Sequence, residues 1–269
     1  PMSLTPAQLV LSLELALMVV GLCLLGRHLW RGRTHATPAP ALALWPIALP
    51  DFFLFLLCVF GGAVLATIVS TAVLNHLALS QAYRMILAGA GFQLGMLGGC
   101  LGFGFTQRGA RAHRQPRQGF FGPGLVTFCI SVPLLAGLGL GWLALLDWLH
   151  IAYDRQSLVD LFAHAESPRQ LALLLTLAVV LAPLTEELVF RAGLFRYFHR
   201  RLPRWLALLV PALLFGASHM NLASLPQLVL LGVIFSLAYE RTGNIAVPMF
   251  AHALFNLHTV AIVLSGVDL

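Results

Sequence analysis

An all-α protein that passes through a membrane several times is what this sequence predicts, on three observations. Hydrophobic residues make up 59% of the 269 positions and charged residues only 10%, and a mean hydropathy of +0.88 excludes an ordinary soluble domain. Unbroken apolar stretches reach the roughly 20 residues that a helix needs to cross a hydrocarbon core of about 30 Å. The basic side chains are all arginines, with no lysine, and they gather in short runs between those stretches. That is a membrane-topology pattern, so the basic balance is not read as nucleic-acid binding. The expected non-protein partner is membrane lipid, anionic lipid included.

Eight spans are expected. The first covers residues 7–26 and is followed by Arg27, Arg31, Arg33 and a Pro/Ala-rich linker at 37–43. A second covers 52–74. The third, 83–105, is rich in glycine (Gly89, Gly91, Gly95, Gly98, Gly99), which allows close helix approach, and ends at a loop with Arg108, Arg111, Arg114 and Arg117. Span four is 120–148, with a kink expected near Gly122-Pro123-Gly124; after it comes the one acidic loop, with Asp154, Asp160 and Glu166. Span five is 170–195, followed by Arg196, Arg200, Arg201 and Arg204. Three shorter spans close the chain, at 205–218, 225–239 and 245–265.

Twelve of the sixteen arginines fall in every other loop, on one side of the membrane, which puts both termini outside the cytoplasm. The arginine-only, alanine-rich composition fits a bacterial inner-membrane protein, and no cleavable leader is expected, because no basic region precedes the first apolar stretch. The four cysteines, Cys23, Cys58, Cys100 and Cys129, lie inside spans without metal-ligand spacing and read as buried thiols. The chain divides into 1–168, four helices with basic loops, and 169–269, four helices around a polar site.

The polar site is carried by three patterns. Span five contains Thr185-Glu186-Glu187-Leu188-Val189-Phe190-Arg191 in otherwise apolar sequence, with Pro183 just before it. An unpaired charge at the centre of a bilayer costs at least about 2.5–3.5 kcal/mol, so such groups pair, face the bundle interior, or do chemistry. Glu187 and Arg191 share a helical face, whereas Glu186 is turned about 100° away and is left without a cation of its own. Pro183 frees a carbonyl one turn back. Span six ends in Phe215-Gly216-Ala217-Ser218-His219, and span eight carries His252-Ala253-Leu254-Phe255-Asn256, whose His252 and Asn256 share a face. At about 1.5 Å per residue, Glu186 lies roughly 15 Å from its basic loop, His219 roughly 22 Å, His252 roughly 12 Å and Asn256 roughly 18 Å. One hydrated pocket within the bilayer is therefore geometrically allowed. A carboxylate and an imidazole can deprotonate a water there, while a second imidazole and an amide stabilise an oxyanion.

Glu186-Glu187-x-x-x-Arg191, Phe215-x-x-x-His219 and His252-x-x-x-Asn256, in this order on successive hydrophobic segments, resemble the three motifs of the CPBP intramembrane proteases over residues 171–263. That family includes the CAAX prenyl endopeptidases and bacterial bacteriocin-processing or immunity proteins. The resemblance implies an intramembrane endopeptidase acting on a peptide or protein that reaches the site from the bilayer. Glu186 and His219 would activate water, His252 and Asn256 would bind the oxyanion, and Glu187 with Arg191 would form a supporting ion pair. A metal-dependent version would use Glu186, His219 and His252 as zinc ligands, although the chain has no HExxH. A serine protease built on Ser218 is disfavoured, because adjacent Ser218 and His219 point apart. An aspartyl protease is disfavoured because Asp51 and Asp147 sit at span ends. The non-enzymatic alternative is a peptide-sequestering immunity protein or a transporter, which would keep buried charges without the His/Asn arrangement.

Overall fold

The computed structural model describes residues 5–34, 42, 45–106, 119–153 and 157–266. Nine helices and no β-strand form among the described residues. They are α1 (Pro6–Thr34), α2 (Leu49–Leu74), α3 (Gln81–Thr106), α4 (Phe121–Trp148), α5 (Ser157–Ala163), α6 (Pro168–His199), α7 (Arg204–Ser218), α8 (Leu225–Thr242) and α9 (Ala246–Ser265). Eight are the expected spans. Six have the length and apolarity to cross a membrane; α7, at 15 residues, is shorter. The basic loop with Arg108, Arg111, Arg114 and Arg117, the linker 37–43 apart from residue 42, and Asp154 with Arg155 lie outside the described residues.

Three expectations need correction. α1 does not stop at residue 26 but carries Arg27 and Arg31 on its last turns, since arginine and leucine are good helix formers and charge alone does not end a helix. The seven-residue α5 forms inside the expected acidic loop. Of the cysteines only Cys129 is buried, and Cys23 is exposed on the outer face of α1.

Local signals explain several ends. Ser167 caps α6, its hydroxyl accepting from the Gln170 N–H at 3.2 Å, with Pro168 in the first turn. Gly243 ends α8 at φ 60°, a conformation that costs glycine little. Within α6, residues Thr176–Leu181 and Leu188–Phe195 widen into π-helix on either side of Ala182–Glu187.

α2 and α3 pack on a glycine seam. Gly91, Gly95 and Gly99 recur every fourth residue; a Cβ on Gly95 would lie 2.4 Å from the Gly62 carbonyl, and one on Gly99 2.2 Å from that of Cys58. Gly98 faces open space. Gly99→Val should therefore push the two backbones apart and cost about 1–3 kcal/mol or more, whereas Gly98→Val should not. Thermal unfolding in detergent checks this, and equal midpoints for the two variants would be inconsistent with the seam.

α6 is the centre of the bundle, in contact with α3, α7, α8 and α9. Its Tyr197 stacks on Phe52 of α2 at 3.6 Å between centroids, under the Arg201 guanidinium. On the other side, α4 packs against α1, α8 and α9, and the Trp142 indole N–H donates to the Leu222 carbonyl at 2.9 Å, holding the α7–α8 turn. Two histidines outside the polar patterns have acidic partners: His199 bonds Glu240 at 2.9 Å, and His258 bonds Glu14 of α1.

Candidate active site

The stretch Thr185–Glu187 occupies the α-helical turn between the two π segments, and its consecutive carboxylates part company as helical geometry requires. Glu187 is fully buried and accepts from Arg191 Nη1 at 2.8 Å. The guanidinium lies 4.4 Å from the Phe215 ring centroid and 5.3 Å from that of Phe235, an arrangement in which ring quadrupoles help to hold a desolvated cation. The same Glu187 oxygen bonds His252 Nδ1 at 2.9 Å. Glu187, Arg191 and His252 thus form one buried charged array, backed by aromatic rings.

Glu186 faces the other way, into a cavity of about 520 Å³ whose lining includes Glu186, His219, His252, Asn256, Ser218 and Gln93. The four residues expected as catalytic share this space. His252 Nε2 is 3.9 Å from Glu186 Oε2, beyond a direct hydrogen bond and within the reach of one bridging water. His219 closes α7 with Nδ1 against the Phe215 carbonyl at 2.8 Å, so Nδ1 carries the proton and Nε2 is the acceptor of the neutral ring.

Asn256 is fixed by a consequence of Pro183. In the first π segment the Ala182 N–H reaches back five residues to the Leu177 carbonyl. In that register the Ala178 carbonyl would look to residue 183, and proline has no N–H. Asn256 Nδ2 fills the gap, donating to Ala178 O at 2.7 Å and keeping its second N–H. The carbonyl that Pro183 was expected to free is thereby found, bonded across helices.

The sequence reading missed Gln93, and with it the fact that the site is not enclosed by the last four helices alone. Phe60 of α2, Gln93 of α3 and Phe162 of α5 also line the cavity. Gln93 Nε2 donates to Glu186 Oε1 at 3.1 Å. A lone glutamine in a glycine-rich span has no spacing relation to the motifs; its polarity among apolar neighbours was the available signal. Ser218 spends its hydroxyl on the Phe215 carbonyl at 2.8 Å. Among the described residues no three His, Cys, Asp or Glu side chains, Glu186, His219 and His252 included, converge closely enough to hold a metal ion as they stand.

Residues 168–258 match the family described as type II CAAX prenyl endopeptidase Rce1-like. An uncharacterized 24.3 kDa protein of Escherichia coli is 38% identical over 100 residues, 35% of this chain and 46% of that protein. YdiL of Bacillus subtilis (strain 168), a membrane peptidase by name, is 30% identical over 95 residues, 35% of this chain and 39% of its own length. The membrane-embedded CAAX protease MroQ of Staphylococcus aureus (strain USA300) is 33% identical over 94 residues, 33% of this chain and 38% of MroQ. The chain spans less than half the length of these relatives. No solved structure matches it. Over residues 168–258 the chain is thus similar to the Rce1-like CAAX prenyl endopeptidases, the same stretch that carries the three motifs resembling the CPBP proteases. It is an integral membrane protein.

Proposed function

We propose that the protein is an intramembrane endopeptidase that hydrolyses a peptide bond of a membrane-associated peptide or protein through Glu186. The observation that carries this reading is the single cavity shared by Glu186, His219, His252 and Asn256. Water held between Glu186 Oε2 and the imidazoles attacks the scissile carbonyl, and its proton passes to Glu186 and then to the leaving amine. His219, with Nδ1–H committed to Phe215 O, offers Nε2 as an acceptor that orients the water. His252, whose Nδ1 meets Glu187, turns Nε2 to the cavity, where an Nε2–H would donate to the oxyanion beside the second N–H of Asn256. Chemistry carried by these side chains does not call on a metal.

The names of YdiL and MroQ support peptidase activity, and MroQ's makes a CAAX-type C-terminal peptide a candidate substrate. The arginine bias supports an inner-membrane orientation with both termini outside the cytoplasm. The test is cleavage of a membrane-anchored peptide library by purified protein, before and after chelation, with metal analysis of the same sample. Cleavage that survives chelation in metal-free protein and falls about a hundredfold or more in His219→Ala is expected. No cleavage by the wild-type protein, or full activity in His219→Ala, would refute it.

A further inference from the structure

We infer that Gln93 of α3 is a positioning residue for the hydrolytic carboxylate, holding one oxygen of Glu186 so that the other, Oε2, takes the proton of the attacking water. The inference rests on the hydrolytic reading of the cavity and extends it to a helix outside the matched segment 168–258.

Gln93 is 9% exposed, and both ends of its amide are engaged. Nε2 donates to Glu186 Oε1 at 3.1 Å, and Oε1 accepts from the Thr185 hydroxyl. Thr185 is fully buried, with the Leu181 and Ala182 carbonyls 3.0 and 3.1 Å from its hydroxyl. A flipped amide would turn its oxygen onto an ionised carboxylate oxygen, acceptor against acceptor, so Glu186 fixes the orientation and the rotatable Thr185 hydroxyl tethers the amide oxygen. Glu186 Oε1 is thereby committed as an acceptor. Oε2 is the oxygen 3.9 Å from His252 Nε2, where a single water can bridge acid and imidazole. The two carboxylate oxygens are thus unequal before substrate arrives. Thr185 and Glu186 are neighbours on one turn of α6, so the amide reads two consecutive side chains of the motif at once. α3 is held in register for this by the Gly91, Gly95 and Gly99 seam on α2 and by Gly89, whose Cβ position lies 3.3 Å from Leu177 of α6.

A double-mutant cycle with Gln93→Met and Thr185→Val tests this, with kcat and KM measured per monodisperse, folded enzyme. Gln93→Met should lower kcat about ten- to a hundredfold, the loss expected for one hydrogen bond to a charged group, and leave KM within about twofold. Thr185→Val, which removes the tether at the other end of the amide, should lower kcat several-fold in the wild-type background and not further in Gln93→Met, since no amide is left to hold. Unchanged kcat in Gln93→Met, or additive losses in the double variant, would overturn the inference. Thr185→Val alone decides it should Gln93→Met not fold: wild-type kcat there is equally fatal. A wild-type protein that cleaves nothing removes the hydrolytic reading itself, whereas an active wild type with additive variants removes only the role of Gln93.

Discussion

Glu186→Gln should abolish peptide cleavage, lowering kcat about a thousandfold or more, within the range that a positioned general base contributes, while the protein folds and inserts as before. The substitution is isosteric, and Glu186 needs only one acceptor to satisfy its neighbour. The oxygen of the new amide can still accept from Gln93 Nε2, and the new NH₂ stands where Oε2 faces His252. What disappears is the lone pair that receives the water's proton. Glu186 takes no part in the Arg191 contact, which belongs to Glu187, so stability should stay within a fraction of a kcal/mol. Cleavage by Glu186→Gln within tenfold of wild type would rule out this carboxylate as the base. Continued protection or transport by the variant without cleavage would favour the sequestering or transporting alternative.

Arg191→Met should be the most damaging substitution to the fold. It leaves the fully buried Glu187 with only His252 as a partner, and removing one member of a buried ion pair typically costs about 3–5 kcal/mol. The flat cavity between Phe215 and Phe235 would also lose the cation that both rings face. Arg191→Lys should not rescue it fully, since an ammonium neither lies flat against the rings nor matches the guanidinium fork. Removing both charges together, in Glu187→Leu/Arg191→Met, should cost less than Arg191→Met alone. The pair is incompletely satisfied as it stands, with Glu187 Oε2 and Arg191 Nη2 buried without hydrogen bonds. Unfolding midpoints in detergent read the order directly, and an Arg191→Met midpoint equal to wild type would show that the array carries no stability.

The Glu187–Arg191 pair and the divergence of Glu186 were legible in the sequence because both follow from spacing on one helix. Eight long helices were legible because lipid demands a length and a composition together. Elsewhere that reasoning gave out for identifiable reasons. α1 runs past Arg27 because hydropathy marks where lipid ends, not where hydrogen bonding ends. α5 is too short for any periodicity to register. Gln93 escaped because its partners lie 92 and 93 positions away, and His199 because Glu240 stands near the end of α8, 41 positions on. Tertiary pairing of single polar residues leaves no local trace.

The two widened stretches of α6 place extra backbone in the helix that carries Glu186. Such a bulge takes up an added residue in about the same rotation as an ordinary turn, so its flanks keep their facing and what changes is the hydrogen-bond register inside it. In the first of them that register turns the Ala178 carbonyl toward Pro183, and an alanine there would bring a backbone N–H to compete for it. The Asn256 amide would then lose its anchor while every motif residue remained in the chain. An intact set of signature residues is therefore an incomplete certificate of a formed site: the one proline ahead of them matters as much.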